Sequence, residues 1–277
     1  MATVIVITNF SESSKNALDY ACGFLQHSKA RVLLLNIFSF PGSYSNDGVS
    51  MAAVSETINN DTYLLEQERK RALENYPLLT IDTELISGTF TEALQEKCAE
   101  VQSRLIVMGA GGDYNSLLSW DTNIINAFID LNVPVLVVPA HIRFENVKAI
   151  AFACNYYRSD LLNPVTMIQK LVNYTKAQLY VINVTVPEDS IDQAAEANKQ
   201  LLKDALNTVD PVYYDAVYTN VVAVIDDFIK ERQIDMLVVL PSRAGIWQSV
   251  FQESHTRNLV NLNQIPVLAL HREQPFI

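Results

Sequence analysis

Glycine is scarce in this chain, eight residues of 277, and proline is little commoner at ten. Counts that low exclude collagen-like repeats, Gly/Ser linkers and proline-rich tracts. No apolar run approaches the roughly 20 residues of a membrane-spanning helix. Basic side chains are also in deficit: 20 Lys and Arg stand against 31 Asp and Glu, a formal net charge of −11. A surface of that sign repels phosphate backbones and anionic bilayers, so neither nucleic acid nor a membrane is an expected partner. Cysteine is reduced to Cys22, Cys98 and Cys154, odd in number, far apart and set in apolar surroundings. They provide no disulfide framework, and buried, reduced thiols in a cytoplasmic protein are expected. The four histidines show no metal-ligand spacing and the cysteines no CxxC, so no metal site is expected. The opening Met-Ala-Thr-Val-Ile-Val-Ile enters a strand pattern at once, without a basic stretch, and no signal peptide is expected.

What the chain does have is hydrophobic residues, 49% of the total, gathered into short, nearly continuous runs. In the first half these are Val4–Thr8, Val32–Ile37, Thr80–Ile86, Leu105–Met108 and Val135–Val138. Runs without alternation predict strands covered on both faces, as in a parallel sheet. Between them lie helical patterns. Ala17, Leu18, Ala21, Phe24 and Leu25 form one, with Ser11 or Ser13 placed to cap it. Ala93, Leu94 and Cys98 form another, and Ile124, Ile125 and Phe128 a third. Ser39 to Asn60 is expected as a long loop, and Glu66–Arg71 as a solvated helix face.

The second half repeats the order. Strands are expected near Ala149–Cys154, Leu179–Val184, Val212–Val217, Met236–Leu240 and Val267–Leu270. Helices are expected near Leu161–Tyr174, Ile191–Leu206, Val221–Glu231 and Glu253–Leu262. Three landmarks recur: Asn9 and Asn155 after the first strand, Asn36-Ile37 and Asn183-Val184 at the end of the second, and Val133-Pro134-Val135-Leu136 and Ile265-Pro266-Val267-Leu268 at the last. The expected architecture is therefore α/β: two tandem doubly wound domains, residues 1–140 and 147–277, each a five-stranded parallel sheet flanked by helices. Each half ends in an apolar strand that needs a partner, so the halves are expected to pair within the chain.

In open parallel sheets ligands sit outside the carboxyl ends of the strands. In the first half the fourth strand runs into Gly109-Ala110-Gly111-Gly112-Asp113. Glycines of this kind let backbone amides approach a phosphate, and they also serve plain tight turns; both readings stand on the residues alone. In the second half Tyr156, Tyr157, Arg158 and Asp160 follow the first strand, where the aromatics either line a pocket or plug it.

The opening Ile-Val-Ile-Thr8-Asn9-Phe10-Ser11-Glu12-Ser13-Ser14, the Leu-Leu-Asn36-Ile37 strand end, the Gly109-Ala-Gly-Gly112 turn and the terminal Pro134-Val-Leu-Val-Val together resemble the universal stress protein family, twice over. The resemblance implies an adenine nucleotide alpha hydrolase-like fold. In the ATP-binding branch of that family, glycines and a Ser or Thr close around the phosphates, and an apolar residue ending the second strand packs on adenine. Carried onto this chain, the implied cofactor-binding residues are Asn9, Ile37, Gly109, Gly112 and Thr122. Asn9 replaces the usual Asp, and Asp121 stands where a phosphate-contacting glycine is expected, adding charge and a Cβ. That leaves AMP, another adenine nucleotide or nucleoside, or no ligand in the first half. In the second half, counting back from Pro266, Pro241, Ala244 and Glu253 replace the glycines, and negligible ATP binding is expected. The resemblance implies a non-enzymatic stress-response regulatory protein that forms no catalytic site. A ligand-free scaffold for an unknown protein partner, a homodimer, and a weak nucleotide hydrolase are the alternatives.

Overall fold

The computed structural model describes residues 2–38, 51–111, 122–158, 160–185, 193–217, 221–241 and 264–271. The first half runs β1 (Thr3–Ile7), α1 (Glu12–Leu25), β2 (Arg31–Phe38), α2 (Met51–Asn75), β3 (Thr80–Ser87), α3 (Phe90–Glu100), β4 (Ser103–Ala110), α4 (Thr122–Asp130) and β5 (Val135–Pro139). The second runs β6 (Ala149–Cys154), α5 (Val165–Thr175), β7 (Gln178–Thr185), α6 (Gln193–Leu206), β8 (Val212–Val217), α7 (Val221–Arg232), β9 (Met236–Val239) and β10 (Val267–Ala269).

All ten strands form one sheet in the order β3-β2-β1-β4-β5-β10-β9-β6-β7-β8. Every pairing is parallel except the central one, where β10 lies antiparallel to β5 with Leu268 opposite Leu136. Each half therefore winds in the same strand order outward from that seam. The strands are unbroken apolar runs because both faces are covered: β1, β5 and β6 are buried at every position. One apolar layer gathers Val4, Val6, Leu136, Phe152 and Leu268 beneath α1, α2, α5 and α6. The other gathers Ile5, Ile7, Val135, Ala151 and Val267 beneath α3, α4 and α7. Both layers run through the seam without a break.

The join between the halves is held on α1. Asn16 Nδ2 donates to the carbonyls of Pro139 (3.0 Å) and Ile142 (2.8 Å). The Phe144 ring stacks edge-on to Tyr20 and Phe24 and lies where a Cβ on Gly23 would collide with it.

Three expectations are corrected. The long loop closes earlier than expected, because α2 begins at Met51, within the segment read as loop to Asn60; its Ala52-Ala53 pair favours helix. The run Glu66–Arg71 is not a solvated face: Glu68 is only 5% exposed, and Arg69 Nε donates to the Ile81 carbonyl at 2.7 Å. The fifth helix starts at Val165 rather than Leu161, since Pro164 suits the position just before a first turn. The helix expected over Glu253–Leu262 lies outside the described residues. All three cysteines are free and buried, and burial pushes the Cys22 and Cys98 thiols up to about 12. Among the described residues no helix is long and apolar enough to cross a membrane.

Candidate functional site

At the carboxyl end of the first half, β1, β2 and β4 stop side by side and leave a cavity of about 120 Å³. Its walls are Ile7, Ile37, Phe90, Met108 and Ile124, and its polar lining is Thr8, Asn9, Ser14, Asn36 and Asn123 with the Gly109 backbone. The loop that frames it is stiffened by short-range bonds. Ser11 is the N-cap of α1, accepting from the Ser14 amide. Asn9 Oδ1 accepts from the Ser11 amide at 3.2 Å, an Asx turn, and Phe10 sits at φ 64° between them. These bonds settle which serine caps the helix: Ser11, with Ser13 two residues on, inside the first turn.

Below the cavity lies a buried polar chain. Thr8 Oγ1 donates to Glu68 Oε2 at 3.0 Å and accepts from the Phe10 amide at 3.0 Å, while Ser14 Oγ lies 3.1 Å away. Burial raises the Glu68 carboxyl above its usual range, and the Thr8 bond opposes this. Gly109 is where the start of α1 comes closest to the sheet. A Cβ there would collide with the Ser13 carbonyl and stand 2.8 Å from the Ser14 nitrogen. The absence of a side chain at Gly109 thus has a packing reason independent of any ligand.

At the corresponding end of the second half an arginine spans two strand ends. Arg158, in the loop after β6, donates from Nη1 to the Leu240 carbonyl at the end of β9 (2.8 Å) and grips Asp160 with Nε (2.7 Å) and Nη2 (2.6 Å). That fork holds the Asp160 carboxyl below the usual range. Tyr156 is 5% exposed within the core layer under α5 and α6, with the Lys199 ammonium 5.7 Å from its ring centre. Tyr156 is thus a core residue of the second half.

The sequence profile of the Universal stress protein family matches residues 1–139. The chain belongs to the universal stress protein family. No curated protein matches the sequence. A universal stress protein of Archaeoglobus fulgidus superposes with a TM-score of 0.70 at 13% identity, over 98% of this chain and 97% of that one. A Pseudomonas aeruginosa protein classed with the universal stress proteins gives 0.58 at 14% identity, over 98% and 94%. A functionally unknown protein of the same species gives 0.57 at 14% identity, over 98% and 93%. At such identities the likeness speaks for the fold: an α/β, mostly parallel sheet flanked by helices, of the adenine nucleotide alpha hydrolase-like kind.

Of the residues that the family resemblance nominated, Asn9, Ile37 and Gly109 converge on the first cavity. Thr122 opens α4 and is exposed, and its neighbours Asn123 and Ile124, rather than Thr122 itself, reach the cavity. Gly112 and Asp121 lie outside the described residues, as do Ala244 and Glu253. The strand register corrects the alignment of the second half. The Ile106 amide bonds the Pro134 carbonyl, and the Leu237 amide bonds the Pro266 carbonyl. Val107 lies opposite Val6 and Val238 opposite Phe152. Gly109 therefore corresponds to Leu240, not to Pro241, because the segment joining β9 to β10 is one residue longer than its counterpart. Thr8, Ser14, Asn36 and Glu68 were not singled out from sequence. For Glu68 a signal existed: Leu65, Glu68 and Ala72 share one helix face, and the flanking two are buried. Among the described residues no group of three or more His, Cys, Asp and Glu side chains converges as a metal site would require.

Proposed function

We propose that this universal stress protein is a non-enzymatic, regulatory binding protein whose first half takes an adenine nucleoside or AMP at the carboxyl ends of β1, β2 and β4. The observation that carries this is the convergence of Asn9, Ile37 and Gly109 on one cavity. At about 120 Å³ it is far below the roughly 300 Å³ at which pockets for whole drug-sized ligands begin. It suits one heterocycle, with sugar and phosphate lying outside. Catalysis of phosphate transfer would require a carboxylate free to hold a metal or orient water. Glu68, beneath the cavity, is instead buried and accepts from Thr8. The Arg158 bridge at the matching end of the second half favours a second reading, a scaffold for a protein partner, for that half.

Native mass spectrometry of the purified chain, followed by titration with adenosine, AMP, ADP and ATP, tests the proposal. Affinity should fall as phosphates are added, because Asp121 brings negative charge to the phosphate side of the family motif. Asp121→Gly should then raise ATP affinity selectively by about tenfold, the order of 1–2 kcal/mol for a like charge removed at close range. A wild type that prefers ATP overturns the reading of Asp121. A chain that binds none of the four overturns the nucleoside site and leaves the scaffold.

A further inference from the structure

A second, larger cleft lies at the opposite edge of the first half, where β4 and β5 begin. It holds about 530 Å³, a volume within the range of small-molecule sites. Gln95 and Cys98 of α3 line it on one side, Leu131, Asn132 and Val133 between α4 and β5 on the other, and Arg104 of β4 lines it too. Two observations single out Arg104. Thr3 lies opposite Ser103 and Val4 opposite Leu105, so Arg104 is an extra residue without a partner on β1, a bulge of the kind that re-aims a side chain. Arg104 is also half-buried, yet among the described residues its guanidinium has neither a hydrogen bond nor an ion pair. None of the described lining residues is acidic, and Glu100, at the end of α3, is paired with Lys97 at 2.6 Å. The second half handles the same place differently. The register that matches Val107 to Val238 matches Arg104 to Asp235. Asp235 Oδ2 accepts from the Lys148 and Ala149 amides at 2.7 and 2.9 Å, and the β6–β9 ladder has no register shift. There the side chain serves the fold; Arg104 serves no group of its own chain.

We propose that this cleft is a second ligand site, for a small monocarboxylate with an apolar body, and that Arg104 holds the carboxylate. A guanidinium presents a planar fork that matches a carboxylate with two parallel N–H···O bonds. Cys98, Leu131 and Val133 supply apolar surface for the body of the ligand, and Gln95, Gln102 and Asn132 supply amides. Burial keeps the Cys98 thiol protonated, so it adds no competing negative charge. The preferred charge follows from the helices. α3 ends at Glu100 and α4 at Asp130, and both C-terminal ends bring partial negative charge to this edge. One guanidinium against that background favours a single negative charge over a phosphate dianion. The cleft lies at the amino ends of the strands, so it is independent of the nucleoside reading of the first cavity.

The test is calorimetric titration of the full chain with hexanoate, 1-hexanol and inorganic phosphate. Hexanoate carries both charge and apolar chain, hexanol lacks the charge, and phosphate lacks the chain. Hexanoate should bind about tenfold or more tighter than either of the others, the worth of a charge-assisted pair. Arg104→Gln should bring hexanoate down to the level of hexanol, and Arg104→Lys, which keeps the charge without the fork, should fall between. Titrations with adenosine should not tell either variant from wild type, which separates a local effect from a disturbed fold. The three wild-type affinities decide the matter even if a variant fails to fold. Equal binding of hexanoate and hexanol, tighter binding of phosphate, or an Arg104→Gln variant that keeps its hexanoate affinity overturns the role of Arg104. Absence of hexanoate binding overturns the site and leaves the nucleoside reading untouched.

Discussion

After β1 the chain takes four residues, Thr8 to Ser11, to reach its next helix; after β6 it takes ten, Asn155 to Pro164. The short connection presses the start of α1 onto β4, where Gly109 alone leaves room for the Ser13 carbonyl. The long one lets α5 begin further away, so Leu240 keeps its side chain in Gly109's place and Arg158 crosses to the Leu240 carbonyl. One strand order thus supports an open end in one half and a bridged end in the other. The sheet does not determine what stands at that end; the length and side chains of one strand-to-helix connection contribute it.

The seam that makes the halves one body offers the largest effect. Leu136 is 1% exposed and faces Leu268, itself 2% exposed, across β5 and β10. Leu136→Lys places an unpaired ammonium within the apolar layer beneath α1, and urea unfolding should show a loss of about 3–5 kcal/mol. An unchanged midpoint would show that the seam adds nothing to stability. The bridge comes next. Arg158→Ala removes a charge-assisted bond to Leu240 and the partner of half-exposed Asp160, at a cost of about 1–2 kcal/mol at neutral pH. Asp160 is held below the usual carboxylate range in the folded protein. Its contribution is therefore present above its unfolded pKa and lost as pH falls through the folded value. The gap between wild type and variant should narrow on acidification, and a gap that widens below about pH 4 contradicts the assignment.

The strands were legible because burial on both faces writes itself as unbroken apolar sequence: Val4–Ile7, Val135–Val138 and Ala149–Cys154 need no context to be read. Two apolar terminal strands that each lacked a neighbour pointed to pairing of the halves, while the antiparallel direction of the seam came from the structure. The helix start at Met51 was hidden, since Ser55, Asn59 and Asn60 look like loop residues and are in fact its exposed face. Glu68 was hidden inside a run of charges, and only its spacing from Leu65 and Ala72 set it apart from its solvated neighbours Gln67 and Lys70. Pro241 was wrongly matched to Gly109 because counting from Pro266 assumes equal loop lengths, and hydrogen-bond register alone reveals the extra residue. In the site, Asn9, Ile37 and Gly109 were reachable by motif. Asn36 was visible only as a landmark, because the bond from its Nδ2 to the Thr8 carbonyl is a tertiary contact that no sequence pattern announces.

The smallest effect sharpens the comparison most. Glu68 on α2 and Asn198 on α6 hold the same place: Leu65, Glu68 and Ala72 in one helix match Ala195, Asn198 and Leu202 in the other, with the flanking residues buried in both. Each reaches the loop after its half's first strand, Glu68 accepting from Thr8 Oγ1 and Asn198 donating to the Tyr156 carbonyl. The first half thus uses a carboxyl where the second uses a neutral amide. Because burial raises the Glu68 pKa in the folded state, the folded protein binds that proton more tightly than the unfolded chain. Stability from this group is therefore full below the unfolded pKa and declines as pH rises through the folded one. Glu68→Gln retains an oxygen for Thr8 and removes the ionisation. Relative to wild type, the variant should gain stability between acidic and neutral pH, by about 0.5–1 kcal/mol on the scale of a single buried hydrogen-bonded group. Urea midpoints measured for both proteins from pH 4 to pH 8 would show the two curves separating upward through that range. Parallel curves would mean that Arg71, the nearest cation acting on Glu68, already offsets the burial and keeps the carboxylate ionised throughout.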